Sequence, residues 1–382
     1  MNIETKLHYD DIAIVPEVVT DIKSRSECNP FDENNMLPIF ASCMSSVVSM
    51  DNFNDFVAAR INPIIPRTYS VIDRLDFMKR NKNIFVAFSL KETKDLFLKY
   101  NENPIGALFS KHITNQQMHI CIDMANGHMK DLIDTVKLIK SIYGDKVIIM
   151  TGNIANPKTY EEYAKAGVDY ARMSIGTGNC CSTSSCTGIH YSVFSLLQET
   201  YQIKVNNGYT CKIVADGGIR SYRDIQKALI YADYVMIGSL FNKAMESSGK
   251  TTYGKSYFNI RGFKVFRPIK TLLTFGKNID RKKFQSIYEE KVKTGKLEIN
   301  KEVFGMSTKK AQNQINVANG LGGKLKTSEG LIKKQMVEFN LKEWSEAETD
   351  YLKSAMSYTN SRTLEEYHNS NWIRISQIKY NI

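Results

Sequence analysis

The segment V168-D-Y-A-R-M-S-I-G-T-G-N-C-C-S-T-S-S-C-T-G188 joins a short apolar run to a loop rich in glycine, serine and cysteine. The run, Val168–Ser174, has the length and the nearly continuous apolar character of a strand that is buried on both faces. Such strands are typical of parallel sheets, in which ligands bind in the loops that follow the carboxyl ends of the strands. The segment therefore predicts a buried parallel strand that ends at a loop equipped for chemistry.

Seven further apolar runs predict the rest of the sheet, and helix-like stretches with apolar residues three and four positions apart separate them. The runs are Pro38–Cys43, Pro63–Pro66, Asn83–Ser89, His119–Asp123, Lys146–Thr151, Lys212–Ala215 and Asp233–Gly238. The helix-like stretches are Lys130–Tyr143, Lys158–Ala166, Tyr191–Tyr201 and Tyr222–Tyr231. Eight strands alternating with helices predict an α/β fold, the (β/α)₈ TIM barrel. An open doubly wound sheet is the alternative, but it usually has fewer strands and a glycine-rich first turn, which we do not find.

The length of 382 residues suits one barrel domain, residues 1–382, with additions to the basic eightfold unit. Residues 250–301 contain fourteen Lys or Arg against four acidic residues, and they predict a basic insertion or flap near the carboxyl face. Residues 302–382 are largely helical by pattern. We expect this tail to complete the barrel by packing on its outside or over its mouth.

Composition narrows the classes of function. The net charge of +11 favours anionic ligands such as phosphates, but no known nucleic-acid module appears, so nucleic acid is not an expected partner. No apolar run reaches the length of about 18 residues that a membrane helix needs, and no secretory leader is visible, so a cytoplasmic location is expected. The seven cysteines are an odd number, which argues against a disulfide framework. Three of them crowd into Cys180–Cys186, but no second ligand pair follows at zinc-site spacing.

The segments that follow the predicted strands are small, glycine-rich or polar, and they meet at the carboxyl face of a barrel, where barrel enzymes hold their active sites. They are Ser42–Ser45, Arg67–Tyr69, Asp123–Gly127, Gly152–Asn153, Gly176–Thr183, Asp216–Gly218 and Gly238–Ser239. The loops after strands seven and eight predict a phosphate site. The cysteine loop can present a nucleophile to a ligand, although composition alone equally fits a surface loop with incidental cysteines.

Taken together, these motifs resemble the inosine monophosphate dehydrogenase and guanosine monophosphate reductase superfamily. The likeness runs from about Leu7 to Gly249 and from Phe304 to Ser376. It rests on L7-H-Y-D-D-I-A-I-V-P-E17, A41-S-C-M-S-S-V47, D123-M-A-N-G127, T151-G-N153, the cysteine loop, A215-D-G-G-I-R220 and V235-M-I-G-S-L240. The reductase is the closer match, because the chain has no room for the regulatory domains of the dehydrogenases and lacks their Arg-Tyr pair between Met306 and Glu329. Instead, F304-G-M-S-T308 and T327-S-E-G330 are similar to reductase segments.

The resemblance implies an NADPH-dependent reductase that converts GMP to IMP and ammonia. In this family a cysteine at the position of Cys181 attacks C2 of the purine as a thiolate, and the resemblance assigns the proton relay to Thr183 and Glu329. It assigns the ribose hydroxyls to Asp216 and the purine base to Met306 and Ser307. The phosphate site is assigned to Asn179, Gly217, Gly218, Gly238 and Ser239.

Further implications concern the cofactor, a cation and assembly. Arg67 is expected to meet the 2′-phosphate of NADPH, and Asp123, Ala125 and Asn126 are the other candidate cofactor residues. The family often binds a monovalent cation such as K⁺ through loop carbonyls, here those of Gly176, Gly178 and Cys181. By analogy the chain is expected to form a homotetramer.

The sequence departs from the family at several positions around the ligand. Thr177 replaces the usual Pro, Asn179 replaces Ser, Ser182 replaces Thr, Ser184 replaces Arg, Arg67 replaces Lys, and Cys43-Met44-Ser45 replaces Asn-Met-Asp. These changes keep open a modified or deoxy purine nucleotide as substrate. Two further hypotheses are oxidation of IMP with NAD and a catalytically silent nucleotide-binding protein. The remaining cysteines, Cys43, Cys121 and Cys211, are expected to be core residues.

Overall fold

The computed structural model describes residues 5–99, 117–178, 181–257, 265–268, 298–320, 322, 325–328 and 330–375. Eight parallel strands form a closed barrel, in which the first barrel strand pairs with the last. These strands are β2 (Ile39–Ala41), β3 (Asn62–Ile65), β4 (Phe85–Phe88), β5 (Met118–Asp123), β6 (Val147–Ile154), β7 (Tyr170–Met173), β8 (Lys212–Asp216) and β9 (Tyr234–Ile237). Each coincides with one of the eight predicted runs to within a few residues, so the predicted barrel is confirmed.

Helices connect the barrel strands. They are α1 (Phe53–Ala58), α2 (Val71–Arg80), α3 (Leu90–Phe97), α4 (Lys130–Tyr143), α5 (Pro157–Ala166), α6 (Thr183–Thr187), α7 (Val193–Asn207) and α8 (Tyr222–Leu229). All four predicted helices are present, and α4 has the predicted bounds. The α7 helix begins two residues later than expected and runs on to Asn207, where Gly208 ends it in a left-handed conformation.

Side chains along each barrel strand point alternately outward and inward, so the hydrophobic core has an outer and an inner layer. Side chains that point outward pack between the strands and the helices. Inside the barrel, Phe40, Phe85, Tyr170 and Tyr234 form a cluster of aromatic rings with centroids 5.0 to 5.8 Å apart. Because side chains two positions apart share a face, the residues that follow these rings along the strands line the barrel interior nearer its carboxyl end.

A second sheet extends the barrel, with four antiparallel strands in the order β11-β10-β12-β13. Its strands are β10 (Thr251–Tyr257), β11 (Val265–Pro268), β12 (Glu298–Phe304) and β13 (Ile332–Met336). The described part of the predicted basic insertion, residues 250–301, therefore contains sheet. Residues 258–264 and 269–297 of that insertion lie outside the described residues.

The C-terminal tail contains helices α9 (Lys309–Ala318), α10 (Leu341–Tyr358) and α11 (Leu364–Tyr367). It also contains β13 and a last strand, β14 (Trp372–Arg374), which the expectation of a largely helical tail did not include. Strand β14 pairs antiparallel with β1 (Ile12–Ile14). Helix α10 of the tail packs on the outside of the barrel, where its Trp344 contacts Phe241 with ring centroids 4.9 Å apart. Helix α9 lies against the loop after β2, since Gln314 is hydrogen-bonded to Ser45. None of the helices in the described ranges is long and apolar enough to cross a membrane.

Candidate active site

The loop after β7 turns sharply at its first residues. Ser174 has a φ of 127°, and its hydroxyl lies 2.5 Å from that of Thr177. Gly176 has a φ of 77°, and a Cβ added there would lie 2.7 Å from the Cβ of Ser184. Glycine at position 176 therefore allows the loop to fold tightly against α6.

This fold presents Cys181 beside Thr183. Cys181 is half-buried, and its amide donates to the carbonyl of Gly178 at 2.9 Å. Its thiol donates to the Thr183 hydroxyl, with 3.3 Å between Sγ and Oγ1. If the thiol is ionised, the direction of this contact can reverse, so that the Thr183 hydroxyl stabilises the thiolate. Two of the three predicted catalytic residues are thus adjacent.

The third predicted catalytic residue, Glu329, lies outside the described residues, as does Asn179. Gly330, which directly follows Glu329, forms an isolated antiparallel bridge with Cys181. The hydroxyl of Ser328 donates to the carbonyl of Gly330 at 2.9 Å. The segment T327-S-E-G330 therefore meets the cysteine loop, although the two are far apart in sequence.

The segment predicted to face the purine base lies between β12 and α9, where Met306 and Ser307 are half-buried. The side chain of Gln312 on α9 donates to the carbonyl of Ser307 at 3.0 Å and accepts from the amide of Lys326 at 2.8 Å. On the same helix, the Gln314 amide oxygen accepts from the hydroxyl of Ser45 at 2.9 Å. Helix α9 therefore connects the predicted base and glutamate segments to the loop after β2.

The glycines among the predicted phosphate residues lie in closely packed turns. Gly217 has a φ of 108°, and a Cβ there would lie 2.5 Å from the Thr177 hydroxyl of the cysteine loop. Gly218 has a φ of 77°, in the same left-handed region. A Cβ on Gly238 would lie 2.8 Å from the sulfur of Met44. The turns after β8 and β9 thus pack closely against the cysteine loop and the loop after β2, and Ser239 beside them is half-buried.

A buried ion network joins several of the strand ends. Arg172 of β7 is 4% exposed, and its guanidinium pairs with Asp123 at 2.9 Å and with Asp216 at 2.8 Å. The side-chain amide of Asn153 also donates to Asp216, at 2.7 Å. On the other side, Arg67 pairs with Asp123 at 3.2 Å. Two predicted ligand-binding carboxylates therefore share one arginine.

The charges of this network determine how its groups ionise. Burial opposes the ionisation of Asp123, but the adjacent guanidinium groups of Arg67 and Arg172 outweigh it and lower the pKa of the carboxyl. Burial likewise opposes the charge on Arg172, but the surrounding groups, first of all Asp216, raise its pKa well above the usual range. Each of these two groups therefore favours its charged form because of the other charges around it.

Sequence reasoning missed Arg172 and did not assign a role to Asn153. A signal for Arg172 was present, because a charged residue within a buried strand needs a partner of opposite charge. Arg172 shares a strand face with the inward Tyr170, and Asp216 ends the neighbouring strand β8. This alternation would have pointed both side chains into the barrel interior.

The predicted cofactor residues lie around the same network. Arg67 is half-buried and engages Asp123 through Nε, while Ala125 and Asn126 are exposed on the loop after β5. The side-chain oxygen of Asn126 accepts from the amide of His128 at 3.0 Å, which fixes the turn. The four predicted cofactor residues thus lie in the loop after β3 and at the end of β5 and the loop after it, and the contact between Arg67 and Asp123 joins the two segments.

Two of the three carbonyls expected to hold a monovalent cation, those of Gly176 and Gly178, make hydrogen bonds within the loop. The carbonyl of Gly176 accepts from the Ser184 hydroxyl at 3.0 Å, and that of Gly178 accepts from the Cys181 amide. These contacts hold the loop closed, and they give no support to the expected K⁺ site.

Comparison with known proteins bears on what this arrangement does. The model of a family described as "IMP dehydrogenase / GMP reductase domain" matches residues 109–295. A GMP reductase of Clostridium acetobutylicum is 30% identical over 258 residues, which are 65% of this chain and 74% of the relative. A GMP reductase of Vibrio vulnificus is 29% identical over 282 residues, covering 68% of this chain and 76% of the relative. One of Staphylococcus epidermidis is 30% identical over 258 residues, covering 65% and 75%.

Proposed function

Because the chain belongs to the IMP dehydrogenase / GMP reductase family, we propose that it reduces a purine nucleoside monophosphate with NADPH, converting GMP to IMP and ammonia. The GMP reductases among its relatives support an oxidoreductase that acts on purine nucleotides. The observation that carries the proposal is the bridge between Cys181 and Gly330, since it brings the nucleophile to the segment that contains Glu329.

In the proposed reaction the thiolate of Cys181 attacks C2 of the purine and forms a C–S bond. The 2-amino group gains a proton and leaves as ammonia, so that the purine remains attached to the sulfur as a thioimidate. The contact of 3.3 Å between Cys181 and Thr183 supports this step, because a hydroxyl donor beside the sulfur stabilises the thiolate. Covalent attachment divides one difficult substitution into two easier steps.

The amine is a poor leaving group until it is protonated, so the first step needs an acid. We assign this proton transfer to Thr183 and Glu329 acting together. The backbone bridge from Cys181 to Gly330 supports the assignment, because Glu329 directly precedes Gly330. A positioned acid of this kind typically contributes about 10²–10⁴ in rate.

When bound, NADPH supplies the hydride that C2 accepts, after which the C–S bond breaks and the thiolate is restored. The residues that would hold it are Arg67, Asp123, Ala125 and Asn126. Arg67 fits this role, because within the described residues only its Nε is engaged and its side chain remains 21% exposed. Its terminal nitrogens can therefore pair with a phosphate.

We assign the nucleotide to the remaining predicted residues. Asp216 accepts the hydroxyls of the sugar, and Met306 and Ser307 face the base. The phosphate binds to Asn179, Gly217, Gly218, Gly238 and Ser239. The positive φ values of Gly217 and Gly218 support this assignment, because such turns expose backbone amides that bind anions.

The test is oxidation of NADPH by the purified protein, followed at the absorbance band of the reduced nicotinamide, with GMP, dGMP and modified purine nucleotides. Activity with GMP should be lost in Cys181→Ala. The matched control is Cys186→Ala, which removes an exposed thiol of the same loop and should remain active. Activity with only a deoxy or modified nucleotide would keep the mechanism and change the substrate.

No oxidation of NADPH with any nucleotide, in an otherwise folded protein, would refute the reductase proposal. Reduction of NAD with IMP would replace it by the oxidative reaction, and nucleotide binding without either reaction would indicate a silent binding protein. A cytoplasmic homotetramer remains an expectation. Light scattering after size-exclusion chromatography tests the tetramer, and assays with and without K⁺ test the cation.

A further inference from the structure

Asp216 is held by three donors, and all of them contact the same oxygen. The guanidinium of Arg172 donates to Oδ2 through Nε at 2.9 Å and lies 2.8 Å from it through Nη2. The amide of Asn153 donates to Oδ2 at 2.7 Å. Within the described residues, no donor contacts the other oxygen, Oδ1. The carboxylate therefore has one orientation, with a free acceptor atom.

Arg172 is itself fixed from the opposite side. Its Nη1 donates to Asp123 Oδ1 at 2.9 Å, while Asp123 Oδ2 accepts from Arg67. The two arginines and two aspartates balance in charge, and this allows a charged group to be almost fully buried. The guanidinium thus cannot rotate without breaking its contacts to both carboxylates.

A planar guanidinium suits this arrangement better than an ammonium group. Its nitrogens point in fixed directions in one plane, so it can contact two carboxylates at once. Lysine would bring the same charge as a single rotating donor, and it could not hold both carboxylates in these orientations.

We propose that Arg172 is a positioning residue that acts through Asp216, presenting its free oxygen to the hydroxyls of the substrate's sugar, with Asp123 and Asn153 as supports. The inference rests on the proposed function, because it takes Asp216 as the group that receives the sugar. Arg172 would thus help determine whether the protein prefers a nucleotide with a ribose or one whose sugar lacks hydroxyls, although Arg172 itself does not contact the sugar.

The experiment compares the binding of GMP and 2′,3′-dideoxy-GMP by calorimetry, without cofactor. Hydrogen bonds to a charged acceptor should make the wild-type protein prefer GMP by about tenfold or more. In Arg172→Lys we expect this preference to fall to about threefold or less, because Asp216 loses its fixed orientation. Asn153→Ala, which keeps the guanidinium and removes one donor, should give an intermediate preference.

The control for a general effect of disturbing a buried arginine is Arg74→Lys. Arg74 is fully buried and pairs with Glu92 at 2.6 Å, and none of its hydrogen bonds within the described residues goes to Asp123, Asn153 or Asp216. The variant Arg74→Lys should keep the wild-type preference for GMP even if its melting temperature is lower. If the role of Arg172 were purely structural, Arg172→Lys would also keep the wild-type preference for GMP.

A wild-type preference in folded Arg172→Lys would refute the inference. If that variant does not fold, Asn153→Ala decides, and an unchanged preference in it refutes the inference equally. Equal binding of the two nucleotides by the wild-type protein would also refute it, whereas the oxidation of NADPH with GMP would still support the reductase. If the wild-type protein binds neither nucleotide, the proposed function fails and the inference fails with it.

Discussion

Lys301 on β12 should make the stability of the protein depend on pH in a measurable way. The residue is 2% exposed, and its ammonium group donates to the carbonyl of Met245 at 2.6 Å and to that of Ser247. Burial lowers its pKa from the ordinary 10.5 to about 7, although the nearby carboxyl of Glu246 opposes the shift. Between these two values the unfolded chain binds a proton that the folded protein does not.

The sign and the size follow from this difference. Stability rises with pH wherever the unfolded state binds more protons, so the free energy of unfolding should rise from pH 7 towards pH 10.5 and stay level below pH 7. With ~1.36 kcal/mol for each pH unit of a full proton difference, the full effect is about 5 kcal/mol. Of this, about 2 kcal/mol falls between pH 7 and pH 9.

The variant Lys301→Met removes the titrating group, and groups that do not interact with Lys301 cancel in the comparison with wild type. We expect the wild-type protein to gain about 2 kcal/mol relative to the variant between pH 7 and pH 9, measured by urea unfolding at both values. The control is Lys334→Met, which removes an exposed lysine of β13 and should leave a constant difference from wild type. A difference for Lys301→Met that is also constant over this range would refute the reasoning.

Three further results are expected. Burial raises the pKa of Glu348 well above its usual range, so the free energy of unfolding falls as the pH rises above about 4. Glu348→Gln should therefore raise the melting temperature by about 2 °C or more at pH 7, but not at pH 4. Gly217→Ala should lower kcat/KM with GMP about tenfold or more, because a Cβ there clashes with the cysteine loop, whereas Gly208→Ala, with open space around it, should leave kcat/KM unchanged. Arg74→Met should lower the free energy of unfolding by about 3–5 kcal/mol, since it leaves the Glu92 carboxylate without its buried partner, and an unchanged urea midpoint would contradict this.

The barrel was predictable because its strands are short, apolar and buried on both faces, a pattern that stands out in sequence. Strand β13 was not, because I332-K-K-Q-M336 exposes Ile332 and Met336 on one face and carries no buried stripe. An exposed edge strand is specified by its pairing with β12, and such pairing between distant segments leaves little trace in local sequence.

In the candidate site, motifs predicted which segments meet but not how they are held together. Cys181 and Thr183 are close in sequence, so their contact followed from the loop. Arg172 was missed because it was treated as one member of an apolar run, whereas its partners come from two other strands. The predicted roles of Glu329 and Asn179 stay predictions, since both lie outside the described residues.

The pairing of β1 with β14 has a consequence for how the protein is made. Ile12 lies opposite Arg374, so β1 pairs with a strand that is synthesised after all eight barrel strands. Domains begin to fold during synthesis, and contacts between distant segments are the slowest to form. The barrel strands can therefore assemble while β1 still lacks the strand it pairs with in the described fold. Truncation before Trp372 should leave the barrel intact but remove the partner of β1, so that β1 is open to association with other chains.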